Sequence, residues 1–294
     1  MINKEHKRKS FNRAATTYDL YSTLQDTISN NLIDRLNTIK LDPLDILDLG
    51  CGTGTNGLSL GKKYKESRII NYDFSENMLK EARIKQKLFF LDKINLSPYS
   101  YICADIEAIP LEENSLDLVW SSSTLQWCNQ LDLVFNQVNK ILKPGGLFIF
   151  STFGPNTLSE LREITENLFN EKKTSTFIDI HKVSKHLIHS NFSNPVLDVE
   201  HLTVKYKEVD KLFMDIKSIG ATNGNLSRNR GLSGRSFTKK IIQKYENYRT
   251  NHYAHPSANI VTTTGSLTSS PCDSPVATLN SSTVVWDIQS QAVP

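Results

Sequence analysis

The stretch ILDLGCGTGTNG, residues 46–57, restricts the folds open to this chain more than any other. It begins as a short apolar run and ends with Gly50, Gly52, Gly54 and Gly57 close together. A buried strand entering a tight turn and then a helix fits that order, because glycine takes positive φ freely and lets a ligand approach the backbone. The alternation continues downstream. RIINYD, YICADI, LDLVWSS and KPGGLFIFSTFG read as strands, and Gly57–Tyr64, Asn77–Lys87 and LVFNQVNKIL read as helices. Short apolar strands alternating with helices of about ten residues make an α/β chain, with a mostly parallel doubly wound sheet and helices on both faces.

The flanks complete the plan. Phe11, Ala14, Tyr18, Tyr21 and Gln25 recur at steps of three and four, which predicts one helical face from Phe11 to Gln25, and a second amphipathic run spans Ile28–Leu36. We read residues 1–40 as an N-terminal helical cap and 41–153 as the core. Residues 154–250 complete the same domain, with helices near Leu158–Phe169, Val183–His189, Val209–Ile219 and Thr238–Tyr248 and a strand Val196–Tyr206. From Asn251 onward lysine, arginine and glutamate disappear, so 251–294 reads as a disordered tail or an atypical last strand, with STVVWDI as the segment able to supply an edge.

Composition narrows the function. The 294 residues suffice for a full core, and a net charge of +3 is too mild to argue for nucleic-acid binding. Cys51, Cys103, Cys128 and Cys272 lie far apart with no CxxC pair, which fits reduced thiols in a cytoplasm. The basic start MINKEHKRKSFNR lacks a following apolar segment and no run is long enough to span a membrane, so a soluble, unsecreted protein is expected. His181, His186 and His189 carry no accompanying ligand pattern, and no metal is expected.

Taken alone, the G-x-G-x-x-G spacing suits a dinucleotide as well as any other cofactor. Asp48 discriminates. A carboxylate two positions before Gly50 repels a pyrophosphate and attracts a ligand carrying an ammonium and a sulfonium. Asp73, ending the next strand, is placed to accept both ribose hydroxyls, and Asp105, ending YICAD, to accept an adenine amine. The glycine turn also has a plainer role open to it, in packing, and Asp73 and Asp105 another, as N-caps of the following helices.

ILDLGCGTG, NYDFSENML, CADIEAIPL, LDLVWSSSTLQW and ILKPGGLFIF, in this order, resemble the motifs of the Rossmann-like class I S-adenosylmethionine-dependent methyltransferases. That resemblance implies S-adenosyl-L-methionine as cofactor, contacted by Gln25, Asp48, Gly50, Gly52, Gly54, Asp73, Phe74, Met78, Asp105, Ile106 and Ser121. FNRAATTYDLYSTLQ, SSSTLQWC, FSTFGPNTLSELRE and FMDIKSIGATNGNLSRNRGLSGR resemble the biotin-pathway malonyl-acyl-carrier-protein O-methyltransferases, a likeness running from about Phe11 to Arg249.

It implies a helical insertion after the fifth strand, and methylation of the free carboxyl of a malonyl thioester on the phosphopantetheine arm of acyl carrier protein. A malonyl carboxylate is ionised at neutral pH and is its own nucleophile, so positioning residues are expected and no general base. The candidates are Tyr18, Tyr21 and Trp127, with Gln126 beside the last and Gln25 near the tyrosines. Acyl carrier proteins are acidic, and Arg228, Arg230, Arg235, Lys239 and Lys240, with Lys244, form a basic concentration suited to docking one; an arginine there is also placed to pair with the malonyl carboxylate. A monomer is expected. Two alternatives stay open: a methyltransferase acting on a free small acid or quinone precursor, and a cofactor-binding module without activity. After YENYRTN the sequence departs from the family, whose Tyr-Gly-His-Ala type final strand is missing.

Overall fold

The computed structural model describes residues 1–89, 97–169, 177–222, 235–250, 253–254 and 256–266. One sheet contains β1 (Asp45–Leu49), β2 (Arg68–Asp73), β3 (Tyr99–Cys103), β4 (Leu116–Ser122), β5 (Leu142–Phe153), β6 (Ser193–Thr203) and β9 (Ser257–Ser266), in the spatial order β3-β2-β1-β4-β5-β9-β6. The first five strands run parallel and β9 lies antiparallel to both of its neighbours. A small ladder joins β7 (Arg249–Thr250) to β8 (Tyr253–Ala254). The chain reverses direction across the sheet between β1 and β4, which opens a crevice at their carboxyl ends.

Side chains alternate along the strands, so the sheet has two apolar faces. Ile46, Leu118, Trp120 and Ile149 point to one face, where Leu32 and Leu36 of α3 (Thr23–Leu36) and Leu60 of α4 (Thr55–Lys63) cover them. Leu47, Leu49, Val119, Phe148 and Phe150 point to the other, under α6 (Leu131–Ile141) and α8 (Ile180–His189). In α6 the buried residues are Val134, Phe135, Val138 and Ile141, the one-sided spacing of an amphipathic helix. Each contributes about 1.5–3 kcal/mol by leaving water. α5 (Glu76–Phe89) bridges β2 and β3, and α7 (Ser159–Phe169) follows β5, where the helical insertion is expected. A smaller cluster joins Ile164 of α7 to Leu212 of α9 (Val209–Ser218) and Ile241 and Tyr245 of α10 (Arg235–Tyr245).

Two expectations need correction. The face running from Phe11 to Gln25 is not one helix: the chain forms α1 (Lys4–Ala14), α2 (Tyr18–Tyr21) and α3, broken at 15–17 and at Ser22. Thr16 and Thr17 are β-branched and favour leaving the helix, and the Thr17 hydroxyl bonds the carbonyl of Ala14 or of Ser218, fixing the corner. The missing last strand is also present. It comes from SANIVTTTGS, a β-branched run within the predicted tail, with Ile260, Val261 and Thr262 buried between β5 and β6. STVVWDI lies outside the described residues. No described helix is long and apolar enough to cross a membrane.

Candidate active site

The crevice contains a cavity of about 720 Å³, counting the part open to solvent. It is built from loops at the carboxyl ends of β1 to β4 and closed on one side by the N-terminal cap. Its floor is the turn after β1. Gly50, Gly52 and Gly54 have φ of +82°, +54° and +77°, values that residues with a Cβ rarely take. A Cβ on Gly50 would collide with Thr124, whereas a Cβ on Gly52 would meet no atom within 4 Å, so Gly52 leaves the open space of a cradle. Gly54 serves packing, since a Cβ there would strike Ala82 and Gln86 of α5.

Asp73 is the carboxylate tied to this floor. Its Oδ2 accepts the Gly52 N–H at 3.0 Å and its Oδ1 the Ser75 N–H at 2.8 Å, leaving further lone pairs for a ligand. Burial pushes its pKa up to about 6. Asp48 does not line the cavity. It is fully buried beneath the turn, without a hydrogen-bond partner of full geometry, and burial, reinforced by Asp73, raises its pKa to about 8.

Asp48 thus lies beneath the loop and outside the cavity lining, where the sequence leads one to expect a cofactor contact. The sign of its effect on stability follows. The folded state keeps the proton up to about pH 8 while the unfolded chain releases it near pH 4, so stability present below pH 4 is lost progressively as pH rises to 8. Without cofactor, Asp48→Asn is therefore expected to raise Tm at pH 8 by roughly 4 °C or more relative to the unsubstituted protein, with a smaller gain at pH 5. A gain of equal size at both pH values would show that Asp48 is not the group responsible.

Asp105 also lines the cavity, but its carboxylate is held by the Lys4 ammonium at 2.6 Å and accepts the Glu107 N–H at 2.9 Å. Glu107 is the second partner of Lys4, at 2.5 Å. The Tyr72 hydroxyl donates to the Asp105 carbonyl at 2.7 Å and fixes this loop. Phe74, Met78, Ala104 and Ile106 supply an apolar wall.

Beyond β4, Ser122, Ser123 and Thr124 complete the rim, with Ser123 at a φ of +52°. Its N–H is held by the carbonyl and hydroxyl of Ser151. Trp127 lines the cavity and meets Phe11 edge-on at 5.8 Å, while Phe11 meets Phe74 at 5.9 Å, giving a continuous aromatic wall.

Of the residues expected at the site, the cavity brings together Tyr18, Gly50, Gly52, Asp73, Phe74, Met78, Asp105, Ile106 and Trp127. Tyr21, Gln25, Asp48, Gly54 and Ser121 are not in its lining. The Ser121 hydroxyl bonds the Leu49 carbonyl at 2.8 Å and staples β4 to β1, which explains its burial. Gln126 turns away to bond Ser123 and Thr152. Tyr18 keeps its phenol proton, its pKa raised by burial and by Asp26, Asp73 and Asp19.

Lys239, Lys240 and Lys244 are exposed on α10; Arg228 and Arg230 lie outside the described residues, as does the Arg235 side chain. Residues that sequence reasoning missed are Lys4, Lys7, Phe11, Tyr72, Ala104 and Ser122 to Thr124. The i, i+3, i+7 spacing of the first three puts them on one face of α1, but the sequence does not say that this face meets the site.

Comparison with known proteins decides the family. A family model described as a methyltransferase domain matches residues 47–150. The malonyl-(acyl-carrier protein) O-methyltransferase of Methylovorus sp. (strain MP688) is 41% identical over 253 residues, covering 85% of this chain and 84% of that protein. The chain belongs to the malonyl-(acyl-carrier protein) O-methyltransferase family. The family's protein from Gallionella capsiferriformans (strain ES-2) is 38% identical, covering 85% of this chain and 86% of its own. Among solved structures, the YcgJ protein of Bacillus subtilis superposes with a TM-score of 0.59 at 15% identity, over 82% of this chain and 99% of that one, which speaks for the fold. The family's class I methyltransferase architecture is thus the one described above.

Proposed function

We propose that the chain transfers a methyl group from S-adenosyl-L-methionine to the free carboxyl of malonyl-acyl carrier protein, giving the malonyl methyl ester, an early step of biotin synthesis. The observation that carries this reading is the 41% identity to a protein of that activity across 84% of its length, with the cavity at the point where the sheet reverses. The residues present fit the cofactor: Gly52 leaves an open cradle, Asp73 offers acceptor lone pairs beside it, and Phe74, Met78 and Ile106 form an apolar slot. S-adenosyl-L-methionine, when bound, supplies a methyl group activated on a sulfonium.

The chain's own contribution is placement and dryness. Asp73 takes the ribose hydroxyls, and the buried Asp48 adds negative charge beneath the loop once ionised. Gly50, Gly52 and Ile106 shape the slot. Tyr18 keeps its proton and donates a hydrogen bond to an acceptor oxygen, while Trp127 and Phe11 shut water out of the acceptor side. We assign no general base, because a malonyl carboxylate is already ionised. Lys239 and Lys240, with Arg228, Arg230 and Arg235, are proposed to meet the acidic carrier, and a cytoplasmic monomer is part of the same proposal.

The test is labelled methyl transfer with malonyl-acyl carrier protein, malonyl-CoA and free malonate as acceptors. The carrier-bound thioester is expected to give the highest kcat/KM. Equal rates on free malonate would move the assignment to a small-acid methyltransferase.

A further inference from the structure

The proposed chemistry leaves one buried charge unused. Lys7, on α1, is only 1% exposed, yet it lines the cavity. Its ammonium donates to the Thr222 carbonyl at 2.7 Å and the Gly220 carbonyl at 3.2 Å, and lies 3.4 Å from the centre of the Trp127 ring. Phe11 adds a second ring face at 5.3 Å. Two carbonyl dipoles and an aromatic face orient a cation well but leave its charge uncompensated. The other lysine of the cavity, Lys4, is already paired with Asp105 and Glu107. Among the described residues no carboxylate lies within ion-pairing distance of Lys7. Burial alone lowers its pKa to about 7, and an anion brought alongside would restore the charge.

We propose that the Lys7 ammonium is the group that receives the acceptor's carboxylate. The inference rests on the reading that the acceptor is a malonyl thioester. A carboxylate reaching this cavity has two sources, the acceptor and the amino-acid end of the cofactor, and position favours the acceptor. Lys7 sits on Trp127, which follows β4, across β1 from Asp73 on β2. A short acyl chain ending in a carboxylate matches a wall of Trp127 and Phe11 that ends at the unpaired Lys7 ammonium. Lys7 acts there as an anchor that sets which oxygen faces the methyl donor, and it exchanges no proton.

Lys7→Met keeps length and removes charge; Lys7→Gln serves if the methionine variant does not fold, and Lys7→Arg restores a cation. Three quantities are read on the full chain: affinity for S-adenosyl-L-methionine, kcat/KM for malonyl-acyl carrier protein, and inhibition of that turnover by acetyl-acyl carrier protein, which carries no carboxylate. The expected result is a fall in kcat/KM of at least about 30-fold, with cofactor affinity within about threefold of the original and acetyl carrier competing as well as malonyl carrier, which it does not against the unsubstituted protein. Lys7→Arg should recover part of the preference for malonyl.

Loss of cofactor affinity as large as the loss of turnover, with the malonyl preference intact, would overturn the proposal and assign Lys7 to the cofactor. Full turnover by a neutral variant would overturn it outright. If the unsubstituted protein methylates no malonyl carrier, the functional reading fails first, and that outcome is separable because it needs no variant.

Discussion

Asp73→Ala is expected to weaken binding of S-adenosyl-L-methionine by at least about 100-fold in a calorimetric titration. An ionised carboxylate bonded to a ligand hydroxyl is worth about 1.5–3 kcal/mol, and we propose that this one holds two. It also fixes the floor, since Gly52 and Ser75 donate to it. Asp105→Ala should cost far less, about fivefold or under, because the Asp105 carboxylate is bound by Lys4. Binding should also rise as pH climbs through about 6, where Asp73 ionises in the empty protein and becomes a full acceptor. A loss of similar size in both variants would mean that the two acids share the ligand equally, contrary to the geometry.

The second large effect concerns the last strand. Val261 of β9 is 1% exposed and sits in the interior of the sheet, paired with Thr152 on one side and Val199 on the other. Val261→Asp should lower Tm by roughly 10 °C or prevent folding, because a carboxylate buried there has no partner and the sheet separates at β5. Val196 on neighbouring β6 is 46% exposed, and Val196→Asp should cost only about 0.5 kcal/mol. If both substitutions were tolerated equally, β9 would not be an interior strand.

The parts of the molecule legible in sequence are those where one local rule dominates. Strand-turn-helix signals from Ile46 to Phe153 predicted the parallel sheet, because buried parallel strands are short apolar runs and their turns need glycine. Asp73 and Trp127 could be placed because strand ends at the reversal point face the cavity. The misreadings came from competition between rules. Tyr18, Tyr21 and Gln25 keep helical spacing across a corner, so periodicity survived where the helix did not. The position of Asp48 beneath the loop is not legible either, because spacing cannot tell a residue on the loop from one under it. Lys4 and Lys7 look like solvated charges in a basic N-terminus; only the packing of α1 against the Trp127 loop and Gly220 makes them part of the site. β9 was hidden because threonines dilute its apolar content, although β-branching suits them to a strand.

The central claim is that a carboxyl of malonyl-acyl carrier protein receives the methyl group, and intact-mass analysis of that carrier after incubation with the protein and S-adenosyl-L-methionine tests it most directly. The account predicts a carrier heavier by one methylene, with the added mass lost when the thioester is cleaved, which puts the methyl on the malonyl group. A carrier of unchanged mass, or a methyl retained on the polypeptide after cleavage, would contradict it.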